Sequence, residues 1–123
     1  MRRVFASAIL ALLLSVGSLF AASPVRAEEA PVVVIQIKGE IDGGQAALVH
    51  KALLEAKAKN ARAVLVEIDT FGGLVDAAVA IRDRITETPT ETICYIKNRA
   101  WSAGALIALS HKKIAIAPGG SIG

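Results

Sequence analysis

From Pro31 onward, short β-branched runs alternate with stretches of helical spacing, and that alternation restricts the chain to an α/β domain with a largely parallel sheet. The runs are Val32 to Lys38, Ala63 to Ile68, Glu91 to Ile96 and Lys113 to Ala117. The near-continuous apolar content of Val64, Leu65, Val66 and Ile68 predicts strands covered on both faces. Between the first two runs, Leu48, Val49, Ala52, Leu53 and Ala56 recur at helical spacing, which predicts an amphipathic helix over about Gln45 to Lys59. A second helix follows Gly73, with Leu74, Ala78, Ile81 and Ile85 as its stripe and Pro89 closing the crossover. A third, from about Ser102 to Ser110, is apolar on nearly every side and is expected to be buried.

The first quarter of the chain has a different character. Arg2 and Arg3 precede an almost unbroken apolar run from Val4 to Ala22, followed by Ser23, Pro24, Val25, Arg26 and Ala27 and then by Glu28 and Glu29. That is the layout of a secretory leader, with Val25 and Ala27 small enough to place the cut after Ala27. Residues 1–27 are therefore read as a signal peptide, with an uncleaved N-terminal membrane anchor as the alternative, since about 20 residues cross a bilayer as a helix. On either reading residues 28–123 form an exported domain. The chain carries 14 Lys and Arg against 11 Asp and Glu, and three of its cations, Arg2, Arg3 and Arg26, lie in the leader. The remainder is neutral and has no basic stripe, which excludes the electrostatic footprint of a nucleic-acid binder.

Cys94 is the one cysteine, so no intramolecular disulfide forms, and its strand-like surroundings predict a buried structural thiol. No His, Cys, Asp and Glu cluster at ligand spacing, so neither a metal nor a cofactor is expected.

Two places break the local rules of structure. Asp69-Thr70-Phe71-Gly72-Gly73 stands at the carboxyl end of a strand and before a helix, where a glycine pair can turn sharply and present its N–H groups to a ligand. Taken alone, Gly72 and Gly73 make only a tight strand-to-helix turn. Ala100-Trp101-Ser102-Ala103-Gly104 follows the third strand and opens the third helix, and Ser102 taken alone is an ordinary helix N-cap. The α/β order places both motifs at one sheet edge. Paired there, Ser102 becomes a nucleophile for an acyl carbon, and the N–H groups of Gly73 and Ala103 hold the developing oxyanion. Gly72 and Phe71 then shape the pocket, and the small residues Ala103 and Gly104 leave room for a carbonyl to approach.

Four pieces in order resemble the ClpP-class serine peptidases, and most closely the NfeD-type membrane-bound serine proteases, related in fold to the signal peptide peptidase SppA. They are Gly39-Glu40-Ile41, then Asp69 to Asp76, then Ser102-Ala103-Gly104-Ala105, then Ala117 to Gly123. The resemblance covers Pro31 to Gly123. It implies a ClpP/crotonase-like spiral of ββα units, C-terminally truncated here, with a Ser nucleophile at Ser102 and an oxyanion hole at Gly73 and Ala103. It also implies a Lys general base that falls beyond Gly123, and apolar segments of membrane-associated proteins, such as stomatin-like partners, as substrates. Phe71 stands where many relatives of the wider class have Pro, which keeps the turn but alters the pocket wall, and Trp101 stands where many have a small residue, which fits packing more than specificity.

Within the chain no residue completes a dyad with Ser102. His111 follows about nine residues of helix, on the order of 13 Å away. Lys112 and Lys113 share that fate, His50 is a solvated helix residue, and Lys97 points from a strand end into solvent. The leading expectation is an extracytoplasmic, membrane-associated Ser-Lys endopeptidase lacking its base. A crotonase-type acyl-CoA enzyme disagrees with the leader, and a non-catalytic binding module of the same fold is the alternative. An open parallel edge and a domain that buries only about 60–65% of its unfolded surface predict association, as a homo-oligomer such as a dimer or with a partner.

Overall fold

The computed structural model describes residues 29–123, and the expected leader, residues 1–27, lies outside them. Five parallel strands and three helices alternate along the chain: β1 (Val32–Ile41), α1 (Gly43–Ala58), β2 (Ala63–Gly73), α2 (Val75–Glu87), β3 (Thr92–Ala100), α3 (Ala103–Ala108), β4 (Lys113–Ile116) and β5 (Ser121–Ile122). The sheet runs β1-β2-β3-β4, and β5 pairs with β3 beyond the end of β4.

Local chemistry sets the boundaries. Asp42 caps α1 by accepting the Gln45 N–H at 2.8 Å. The helix ends where Asn60 takes a left-handed φ of 50° and the Ala61 N–H returns to the Ala56 carbonyl. Alternation then selects the core. Ile35 and Ile37 from β1, Val64, Val66 and Ile68 from β2, and Cys94 and Ile96 from β3 point to one side and are fully buried. Val49, Leu53 and Ala56 of α1, Ala78, Ile81 and Ile85 of α2, and Ile107 and Ala108 of α3 cover them. Each such large side chain contributes about 1.5–3 kcal/mol on burial.

All three helices lie on that one face, α1 against α2 and α2 against α3. The expectation of strands covered on both faces is therefore wrong for these residues. Leu65 and Tyr95 are only half-buried and Val34 is 55% exposed, because the opposite face carries Gln36, Lys38, Glu67 and Lys97 instead of a second layer. The third helix also differs from its expectation. It is six residues long, and Leu109 at its end is 69% exposed, because the chain turns away at Ser110 to begin β4.

The strands that matter for the site run further than periodicity indicates. β2 extends through Gly73 because Glu40 and Ile41 of β1 pair with Gly72 and Gly73. β3 extends to Ala100, which pairs with Thr70. Both ladders shift register on the way: Thr70 and Phe71 of β2 stand opposite the single Gly39 of β1, and Lys97, Asn98 and Arg99 of β3 opposite the single Asp69 of β2. Gly39, opposite the extra residue of β2, takes a φ of 81°, a left-handed conformation that favours glycine. These irregularities gather at the carboxyl end of the sheet, where open parallel sheets hold their sites.

Candidate active site

At that end β2 and β3 each run directly into a helix, and the two junctions touch. Gly72 lies against Ser102 so closely that a Cβ at position 72 would stand 2.9 Å from Ser102 Cβ and 3.3 Å from its Oγ. Gly72 has a φ of 117°, and neither the space nor the backbone accepts a side chain. Gly73 is pressed on the Ile41 backbone, with Ile41 Cα 2.8 Å from where its Cβ would be.

The glycine pair is held by Thr70, which is 1% exposed. Its hydroxyl donates to the Gly39 carbonyl at 2.5 Å and accepts the Gly72 N–H at 2.9 Å. Next along, the Leu74 N–H donates to the Ile41 carbonyl at 2.8 Å. In a parallel ladder one residue of each pair makes both bonds, so Ile41 bridges the residues either side of Gly73, and the Gly73 N–H lies off that ladder.

Ser102 is exposed, with φ 53° and ψ −120°, a conformation that glycine reaches easily and serine does not. Its side chain makes no capping bond to α3, so the ordinary N-cap account fails and the hydroxyl is not engaged by the helix. Ala103 is the first residue of α3, and its N–H has no intrahelical partner. The strained turn is tied from outside: the Ser102 N–H donates to the Gly123 carbonyl at 2.6 Å, and the Gly123 N–H donates to the Ala100 carbonyl at 3.1 Å. Ala103 and Gly104 are buried, and a Cβ at Gly104 would collide with the Thr70 methyl. The missing side chain of Gly104 thus serves helix-on-strand packing instead of leaving room for a substrate carbonyl.

All four sequence pieces thus meet around Ser102. The structure adds residues that pattern reading passed over. Thr70 looked like one more residue of a turn, and its hub role follows only from the long-range pairing with Gly39. Trp101 Nε1 donates to Ser121 Oγ at 2.8 Å, and the Trp101 ring meets Phe71 edge-on, with centroids 5.5 Å apart. Phe71, with Gly39, Glu40, Gly72 and Gly73, lines an open groove beside the junction. Asn98 donates to Asp69 at 2.7 Å across the sheet end.

The other titratable candidates are occupied elsewhere. His111 is 7% exposed and its Nδ1 lies 3.0 Å from the Ile107 carbonyl and 3.2 Å from that of Ala108, while burial holds its pKa below the ordinary 6.5. Lys97 stands 3.6 Å from Glu67, and Lys113 donates to Glu91. His50 lines a depression between α1 and α2 with Leu53 and Arg84. Burial also pushes the Cys94 thiol up to about 12, so it is no nucleophile. Among the described residues no three of His, Cys, Asp and Glu gather as metal ligands, and no helix is long and apolar enough to cross a membrane.

Residues 31–123 match the family described as NfeD1b, N-terminal domain. The chain belongs to this NfeD1b family. Membrane protein NfeD1b of Bacillus subtilis is 39% identical over 80% of the chain and 22% of its own length. Membrane-bound protease PH1510 of Pyrococcus horikoshii is 38% identical over the whole chain and 27% of its own length. The chain thus spans about a quarter of these NfeD relatives. Among solved structures, a mutant of the 1510-N membrane-bound stomatin-specific protease in complex with a substrate peptide superposes with a TM-score of 0.73 at 39% identity, covering 76% of this chain and 44% of that one. ClpP1 from Listeria monocytogenes follows at 0.60 and 28% identity, covering 63% and 46%. The NfeD1b domain is accordingly a ClpP-like α/β fold.

Proposed function

We propose that this domain is the nucleophile-bearing part of a membrane-associated serine endopeptidase. The observation that carries the reading is Ser102 itself, exposed at a strand-to-helix turn in a conformation costly for serine, with its side chain unused by the helix it begins. Backbone strain of about 1–3 kcal/mol is retained where it shapes a site. Ser102 Oγ attacks the scissile carbonyl, and the Gly73 and Ala103 N–H groups receive the oxyanion, each such donor being worth roughly 2.7–4 kcal/mol of barrier lowering. Gly72 keeps the space above Ser102 open, and the groove along Phe71 receives the peptide.

The general base is a lysine from outside residues 29–123, as the resemblance to Ser-Lys peptidases implies; within them His111 is bonded to the end of α3, and Lys97 and Lys113 face Glu67 and Glu91. The substrates are apolar segments of membrane-associated proteins, stomatin-like ones among them, in line with the named specificity of the similar protease. Residues 1–27 act as the export signal or anchor, which puts the domain on the extracytoplasmic face beside the membrane, and the exposed strand edge pairs subunits into a dimer.

Fluorophosphonate labelling tests this reading on the chain, its Ser102→Ala variant, and a longer form carrying the lysine-bearing segment. Labelling of the longer form that Ser102→Ala abolishes is expected. No labelling of any form overturns the hydrolase reading in favour of a binding module.

A further inference from the structure

Three residues before Ser102 stands a cation with no carboxylate partner among the described residues. Arg99 sits in the β3 irregularity, half-buried, with its guanidinium carbon 4.3 Å from the Phe71 ring centroid and 5.6 Å from that of Trp101. Phe71 adjoins Gly72 and Trp101 adjoins Ser102, so the two residues whose rings hold Arg99 are the chain neighbours of the Gly72–Ser102 contact. Stacking occupies the guanidinium faces and leaves its N–H edge. The five ion pairs among the described residues do not include Arg99, and none of its N–H groups meets an acceptor there. Asp69, on the strand facing the β3 irregularity, accepts from Asn98.

A guanidinium fixed by two rings, partly withdrawn from water and unpaired at its edge is preorganised for one chemistry, the bidentate capture of a carboxylate. We infer that Arg99 is a specificity residue that binds a carboxylate of the peptide close to the bond presented to Ser102. This rests on the peptidase reading and deepens it. Two sources supply the same chemistry: an acidic side chain flanking the scissile bond, or the C-terminal carboxylate of a short peptide. Trp101 holds the ring on which Arg99 rests through its bond to Ser121, and Phe71, 67% exposed, forms the outer wall.

Trp101 is the only tryptophan of the chain, so its fluorescence reports directly on this corner. Acetylated peptides of alternating leucine and alanine are titrated in four forms: a free C-terminus against an amide, and, on the amidated peptide, one internal aspartate against asparagine. The carboxylate form of one pair is expected to bind about tenfold more tightly than its neutral counterpart, and the pair that discriminates identifies the source. Arg99→Met is expected to bring that ratio close to one and Arg99→Lys to retain part of it, with thermal melts confirming that both variants fold. Equal affinity for all four forms, a ratio that survives in Arg99→Met, or no binding of any form overturns the assignment. Fluorophosphonate labelling of the longer form separates the two readings. A protein labelled at Ser102 that does not discriminate refutes the role of Arg99 alone, and one that discriminates but never labels refutes the peptidase.

Discussion

Gly72 and Ser102 occupy one tight contact, the backbone of the first serving as the wall of the second, with 2.9 Å between the Cβ that Gly72 lacks and the Cβ that Ser102 has. Gly72→Ala therefore displaces the serine. Under the peptidase reading, fluorophosphonate labelling of the longer form falls on the order of 100-fold, as misplacement of a reacting group by about 1 Å does. Labelling that survives the added methyl would count against Ser102 as the nucleophile.

Gly73 tests the fold more than the chemistry. Its missing Cβ would fall on the Ile41 backbone, which cannot step aside as a side chain can. Gly73→Ala is expected to cost more than about 4 kcal/mol, in the exceptional range for one substitution, or to prevent folding altogether. Urea denaturation measures this, and an unchanged midpoint would mean that β1 and β2 do not pair at Ile41.

Relief of strain runs in the opposite direction. Ser102→Gly removes a serine from φ 53° and ψ −120°, and the roughly 1–3 kcal/mol recovered outweighs the 0.5–1 kcal/mol that glycine loses in chain entropy. A melting temperature raised by about 4–8 °C is expected, while Ser102→Ala, which keeps a Cβ, leaves it close to that of the parent. Equal melting of both variants would remove the strain argument.

Thr70→Val keeps the shape of the side chain and deletes the hydroxyl between Gly39 and Gly72. Leaving the buried Gly72 N–H without its acceptor costs about 1–3 kcal/mol, read as a lower midpoint in urea. Hydrogen exchange at Gly72 accelerates in the variant; unchanged protection there would show that the hydroxyl does not hold the turn.

His111 sets a pH window. Burial disfavours its charged form, so its folded pKa lies below the ordinary 6.5 and the unfolded chain binds its proton first. The linked stability is full above 6.5 and is lost as pH falls through that value toward the depressed one. Glu55 and Glu91, held below 4.5 by Lys59 and Lys113, titrate lower and leave this window clear. Stability between about pH 7 and pH 5 therefore declines in the parent and much less in His111→Gln.

How far the sequence reaches depends on whether the determinant is local. Alternation and helical spacing located β1 to β4 and all three helices, because burial on one face writes itself into neighbouring residues. The two-residue β5 escaped notice, since Ser121 and Ile122 carry no period and become a strand only by pairing with Arg99 and Ala100. Apolar runs also misread the sheet, where half-exposed Leu65 looks no different from buried Val66. At the site, the conjunction of Gly72, Gly73 and Ser102 was legible as two rule-breaking turns in one fold. The service of Gly104 to Thr70, the hydroxyl of Thr70 and the stacked guanidinium of Arg99 were not, because each depends on a partner distant in sequence.

The bond from the Ser102 N–H to the Gly123 carbonyl also has a meaning in time. A ribosome delivers the strands β1 to β3 and the helices between them before it delivers residue 123. Most of the core can then assemble while the serine turn is still without its latch. Until Gly123 is in place, the costly conformation at Ser102 lacks its outside tie, and the turn is free to relax.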